Sequence, residues 1–141
     1  MDIDKIKDMM IRHEGLRLTP YRCTVNKLTL GVGRNIEDVG ITKEEALFLL
    51  NNDINLCVTD LWDIFNEIDE FSEIPENIQM VLVNMRFQLG PSRFRKFKKM
   101  IAAVKESNWP EMIIQMKDSR WYKQTTNRAN DLISMVRKVK V

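Results

Sequence analysis

The sequence predicts an α+β fold, predominantly helical, with a small antiparallel sheet lobe joined by a long helix to a helical lobe. Three observations predict it. Apolar residues recur at helical spacing along most of the chain. One stretch, about residues 16–35, switches to the period-two alternation of strands. Finally, 141 residues with 44% apolar and 30% charged side chains suffice for one main core, while five Gly and four Pro supply few turns for an all-β chain.

Ile3, Ile6 and Met10 place a first helix over about residues 3–13, ending near Glu14-Gly15, where Gly can terminate it. Leu16-Arg17-Leu18 and Leu28-Thr29-Leu30-Gly31-Val32-Gly33 alternate as strands, and Cys23-Thr24-Val25-Asn26-Lys27 reads as the hairpin turn between them. Asn26 tolerates the positive φ such a turn often needs. A sheet this small must pack on helices. Thr42-Lys43-Glu44-Glu45 is a capping box. Behind it, Ala46, Leu49, Leu50, Ile54, Cys57 or Val58, and Leu61 carry an apolar stripe towards Phe65. This is the helix expected to join the lobes. Pro75 suits the first turn of the next helix. There, Ile78, Val81, Leu82, Met85 and Leu89 are apolar around much of the circumference, which predicts the central buried helix, stopped by Gly90-Pro91. Phe94, Phe97, Ile101 and Val104 predict one further amphipathic helix with a basic outer face. Asn108 caps a helix beginning Trp109-Pro110-Glu111, and a last helix from Thr125 or Thr126 buries Ala129, Leu132, Ile133 and Val136. The chain reads as one domain over 1–141, with a sheet lobe at about 15–40 and a helical lobe at about 1–13 and 60–141.

Net charge is only +2, so local charge matters more than the whole-chain field. Basic residues gather at Arg93, Arg95, Lys96, Lys98 and Lys99, and again from Arg120 to Lys140; acidic residues cluster between Asp53 and Glu76. Such runs read first as solvated helix faces, with an anionic polymer as the alternative partner. A duplex-binding role for the basic helix fits poorly with the weak net charge, and no nucleic-acid partner is expected. Cys23 and Cys57 are too few for a disulfide framework, and Cys57 lies in an apolar helical stretch as a core residue. The single His13 has no neighbours at ligand spacing, and Gly31-Val32-Gly33 lacks the third Gly of a dinucleotide loop. Neither a metal nor a cofactor is expected. No apolar run reaches membrane-spanning length, and Met1-Asp2-Ile3-Asp4-Lys5 lacks the features of a signal peptide. No stable membrane insertion is expected.

Carboxylate chemistry remains. Glu14 sits where a helix ends and a sheet begins, at a junction between lobes. From periodicity alone it reads as an exposed helix-end residue. A partly desolvated Glu at such a junction would instead carry a raised pKa and serve as a general acid.

The run Glu14-Gly15-Leu16-Arg17-Leu18, then Tyr21, then Thr29-Leu30-Gly31-Val32-Gly33 resembles the signature of the T-even phage lysozymes, glycoside hydrolase family 24. The resemblance continues at Gly40-Ile41-Thr42-Lys43-Glu44-Glu45-Ala46 and at Asn84-Met85-Arg86-Phe87-Gln88-Leu89-Gly90. It is strongest from Ser119-Arg120-Trp121-Tyr122 to Asn127-Arg128-Ala129. The blocks stand in family order over most of the chain. The stretch from Arg34 to Ile41 is short against larger members, which predicts a smaller sheet lobe.

The resemblance implies a lysozyme-like fold and hydrolysis of the β-1,4 bond between N-acetylmuramic acid and N-acetylglucosamine in peptidoglycan. It implies that Glu14 is the general acid and that Thr29 helps to position the attacking water. Arg128 would support Glu14 by pairing with it. Phe87, Gln88, Arg120 and Gly33 would contact the glycan or peptide. Plainer readings stand beside these: Trp121 and Tyr122 as core aromatics with polar handles, Phe87 as core, and Arg120 as a structural ion pair. Cys23 departs from the pattern. It stands with eight residues between it and Glu14 and five between it and Thr29, where much of the family has Asp. An inverting glycosidase normally uses a second carboxylate to activate water. A thiolate could activate water or attack the sugar, and some family members resemble this chain in carrying Cys. The resemblance further implies a monomer that waits in the host cytoplasm and reaches the wall through a holin-type pore. A binding protein that grips peptidoglycan without cutting it is the alternative that Cys23 leaves open.

Overall fold

Asp2 starts the first helix, its carboxylate accepting the Lys5 N–H at 3.0 Å. The computed structural model describes residues 1–66 and 71–140. Part of the acidic cluster between Asp53 and Glu76, and the final residue of the expected helical lobe, lie outside the described residues. The first helix, α1, covers Ile3–Glu14 and closes with the Gly15 N–H on the Ile11 carbonyl. Three strands follow: β1 (Arg17–Arg22), β2 (Leu28–Gly31) and β3 (Arg34–Asn35), antiparallel in the order β1-β2-β3. Tyr21 stands opposite Thr29, and Thr29 opposite Asn35. The β1–β2 turn is closed by the Cys23 N–H on Lys27 O at 3.0 Å and the Asn26 N–H on Cys23 O at 2.8 Å. Asn26 takes φ 61°, as its residue type suggested.

The capping box forms as the sequence predicts. Thr42 N–H donates to Glu45 Oε1 at 2.9 Å, and Glu45 N–H donates to Thr42 Oγ1 at 3.1 Å. It opens α2, which runs unbroken over Lys43–Ile64. Only Cys57 and Leu61 of its apolar stripe are buried, and Leu49, Leu50 and Ile54 are exposed. Chain contacts divide the protein into Met1–Leu49 and Leu50–Val141, with the boundary inside α2. This division counts α1 with the sheet, whereas the sequence reading grouped it with the helices.

In the second unit, a 3-10 turn at Phe71–Glu73 leads to α3 (Glu76–Arg95). Pro75 stands at the N-cap, with φ −51° and ψ 139°, and not inside the first turn as expected. Its extended ψ lets the chain enter the helix while its missing N–H goes unneeded. Ile78, Val81, Leu82 and Met85 are buried, as predicted for the central helix. Gly90 breaks it: φ 81° and ψ 170° lie far from helical values, and Pro91 begins the short arm that completes α3.

The single amphipathic helix expected through Phe94 and Val104 is in fact two pieces. Lys96 and Phe97 N–H groups bond three residues back, to Arg93 O and Phe94 O, which tightens the chain and ends α3. Phe97, with ψ 53°, then stands at the N-cap of α4 (Lys98–Lys105). Next come α5 (Trp109–Lys117), capped by Asn108 Oδ1 on the Glu111 N–H, then α6 (Arg120–Gln124) and α7 (Thr126–Arg137). Their apolar faces close on α2 and α3 around Leu61, Phe65, Phe94, Met100, Met112 and Ile133. Half-buried beside them, Asp60 receives Arg86 Nε at 2.6 Å, and Arg95 through both of its terminal nitrogens. Among the described residues, no helix is long and apolar enough to cross a membrane.

Candidate functional site

The sheet unit holds one buried residue, and it is polar. Thr29, on β2, is 3% exposed. A buried hydroxyl needs a partner, and Thr29 donates to Lys27 O at 2.8 Å. Cys23 lies at the start of the same turn as a half-buried free thiol. The Lys27 and Val25 backbone N–H groups lower its pKa, in that order of size, against an opposing desolvation; the Thr29 hydroxyl lies beside it but keeps its proton on Lys27 O. Cys23 and Thr29 are thus brought together by the turn that the sequence predicts. Arg22, the sequence neighbour of Cys23, is engaged elsewhere: it pairs with Glu37 at 2.9 Å, since alternate strand residues face apart.

Glu14 is the last residue of α1 and is exposed. Its own helix buries no residue. What does touch it is Gly33, in the turn between β2 and β3, at φ 66°. A Cβ at Gly33 would come within 2.9 Å of Glu14 Oε2. The carboxylate therefore occupies the space that a side chain at position 33 would need. On β1, Arg17 covers the Tyr21 ring, 4.3 Å from its centroid.

The remaining predicted residues belong to the helical unit. Phe87 and Arg128 line a groove of about 630 Å³ together with Ile54, Trp62, Met80 and Val83. Phe87 is 43% exposed, so the core reading of it does not hold. It follows Arg86 near the Gly90 break, on the face of α3 turned away from the core. Arg128 is fixed by Asn84: its Nε donates to Asn84 Oδ1 at 2.8 Å and its Nη2 to Asn84 O at 3.5 Å. Asn84 was not singled out from the sequence beyond its place in a motif block. The available signal was its position one helical turn before Gln88.

Gln88 faces the other way. Its Oε1 accepts the Trp121 indole N–H at 2.9 Å, so Trp121 is a buried aromatic with its polar handle satisfied. Tyr122 likewise donates from its hydroxyl to Asn130 Oδ1 at 3.0 Å. Arg120 opens α6 and lines a second groove of about 650 Å³, floored by Leu89, Phe97 and Trp121. Arg93, Lys96, Lys98 and Lys99 border the same groove, with Asp118 as the acid among them. The structure therefore places Phe87 with Arg128, and Arg120 apart from both. No cluster of three His, Cys, Asp or Glu side chains among the described residues is placed to hold a metal ion.

A family model described as phage lysozyme matches residues 11–138. Two similar proteins are from Dictyostelium discoideum. Probable T4-type lysozyme 2 is 29% identical, covering 94% of both chains. Probable T4-type lysozyme 1 is 26% identical, over 95% of this chain and 94% of its own. The pre-baseplate central spike protein Gp5 of Enterobacteria phage T4 is 29% identical over 92% of this chain, which matches 27% of that protein.

Proposed function

Since the chain belongs to the phage lysozyme family, and is a glycoside hydrolase of lysozyme type acting on peptidoglycan, we propose that Glu14 is its general acid. The observation that carries this reading is the seating of the Glu14 carboxylate on Gly33, in the same unit as the Cys23–Thr29 pair. The bond cut is the β-1,4 link between N-acetylmuramic acid and N-acetylglucosamine. Glu14 gives its proton to the leaving glycosidic oxygen as the C1–O bond breaks. A water attacks C1 and gives a proton to Cys23, whose thiolate the turn's N–H groups favour. Thr29 orients that water. Its one hydroxyl proton goes to Lys27 O, which leaves its lone pairs to accept from the water.

A sugar lying over Glu14 would supply the desolvation that α1 alone does not. In this reading Gly33 contacts the glycan beside Glu14, while Phe87 and Arg120, each lining its own groove of the helical unit, contact glycan or peptide, and Gln88 is spent on Trp121. The protein acts as a monomer, is delivered to the wall through a holin-type pore, and uses no cofactor. The test is mass analysis of muropeptides released from purified peptidoglycan by the wild type and by Glu14→Gln. Hydrolysed N-acetylmuramic ends from the wild type, and none from the variant, are expected. Equal release by both would remove Glu14 from the mechanism, and anhydro ends would replace hydrolysis by a transglycosylase reaction.

A further inference from the structure

Gly31 and Gly33 stand two residues apart, and both have positive φ, 73° and 66°. They therefore share the same backbone requirement. They differ in what surrounds them. A Cβ on Gly31 would meet nothing within 4 Å. A Cβ on Gly33 would meet Glu14 Oε2 at 2.9 Å, and Cδ and Cγ at 3.3 Å. Within Met1–Leu49, no hydrogen bond or ion pair holds the Glu14 carboxylate. Three rotatable bonds on an exposed helix end leave its tip free to wander, unless packing confines it.

From this contrast we infer that Gly33 is a positioning residue for the acid: its missing side chain leaves the space that the Glu14 carboxylate occupies beside the β2–β3 turn and sets where the proton is delivered. The inference rests on the reading of Glu14 as general acid. A methyl group at position 33 cannot share that space with Oε2. The tip of a Glu gives way easily, so the fold absorbs the displacement. The reaction does not, because a misplacement of about 1 Å can cost about a hundredfold in rate. A residue that only lined the sugar site would act differently. Adding a methyl there would raise KM and leave kcat and the pH profile alone.

The experiment compares Gly33→Ala, Gly31→Ala, Glu14→Gln and wild type. It measures kcat, KM and the pH profile of reducing-end release from peptidoglycan, with urea midpoints for stability. Both alanine variants are expected to lose similar stability through strain at positive φ. Gly33→Ala alone should lose about ten- to a hundredfold in kcat and shift the limb of the profile assigned to the acid. In the Gly33→Ala background, Glu14→Asp should cost less than in wild type, because the shorter side chain withdraws from the added methyl. If Gly33→Ala does not fold, Gly33→Asn gives the same reading, since Asn tolerates positive φ and carries the same Cβ. Matching kcat and pH profiles for the position-33 and Gly31→Ala variants would overturn the inference while leaving the acid in place. Full turnover by Glu14→Gln would overturn both.

Discussion

Arg34 Nη1 donates to Glu45 Oε1 at 2.7 Å, tying β3 to the first turn of α2. The Thr42 N–H shares the same oxygen at 2.9 Å. Arg34 first, and then the Thr42 N–H, hold the Glu45 carboxyl down to about 2 from an ordinary 4.5. The folded pKa is depressed, so this contribution is complete above about 4.5 and is lost as pH falls towards 2. Wild type should therefore lose more thermal stability than Glu45→Gln between pH 5 and pH 2. Parallel melting curves against pH for the two proteins would show that the link contributes nothing.

The Asp60 carboxylate holds two arginines from the two arms of α3. Arg86 is 8% exposed, so its charge is largely shut off from water if Asp60 is neutralised. Asp60→Asn should cost about 3 kcal/mol in urea unfolding. Arg95 is half in solvent, and Arg95→Ala should cost only about 1 kcal/mol. Equal losses for the two variants would mean that Arg86 finds another partner.

Cys23 and Cys57 should be separable by alkylation. The turn's N–H groups lower the Cys23 pKa, and burial raises that of Cys57. Cys57 is also shut away in the helical core. Iodoacetamide at pH 7 should modify Cys23 roughly tenfold faster or more, as read by peptide mass spectrometry of the native protein. Comparable rates would show that the turn does not favour the thiolate.

Gln88 serves Trp121 directly. Gln88→Leu removes the acceptor at 2.9 Å and strands a buried indole N–H, which should cost about 1–3 kcal/mol. Trp121→Phe in the Gln88→Leu background should cost less than in wild type, because no polar group is then left unpaired. Strict additivity in urea unfolding would place the role of Gln88 elsewhere.

Long, strongly periodic elements were legible in the sequence. The apolar spacing of Ile78 to Met85, the Thr42–Glu45 capping box and the Cys23–Lys27 turn each rest on local rules, and each forms. The short pieces were not. β3 has two residues and α6 five, too few for any period to show. The break between Phe94 and Val104 was hidden because Phe97 keeps its place on the apolar face while its backbone leaves the helix. At the candidate site, the family resemblance picked out Cys23 and Thr29 together. It could not reveal Glu14 resting on Gly33, because that contact joins a helix end to a turn 19 residues away. Nor could it show Asn84 fixing Arg128, since their bond spans 44 positions.

Gly90 has one consequence for how the helical unit opens. With non-helical angles at Gly90 and no N–H on Pro91, the hydrogen-bond ladder of α3 is interrupted between its long buried arm and its short one. Two separately hydrogen-bonded segments can open as separate units, each with its own protection against amide exchange. Asp60 grips one arginine on each side of that interruption. A single carboxylate on α2 thus turns two potentially independent opening units into one, and removing it should let the amides of residues 92–95 exchange ahead of those of residues 78–88.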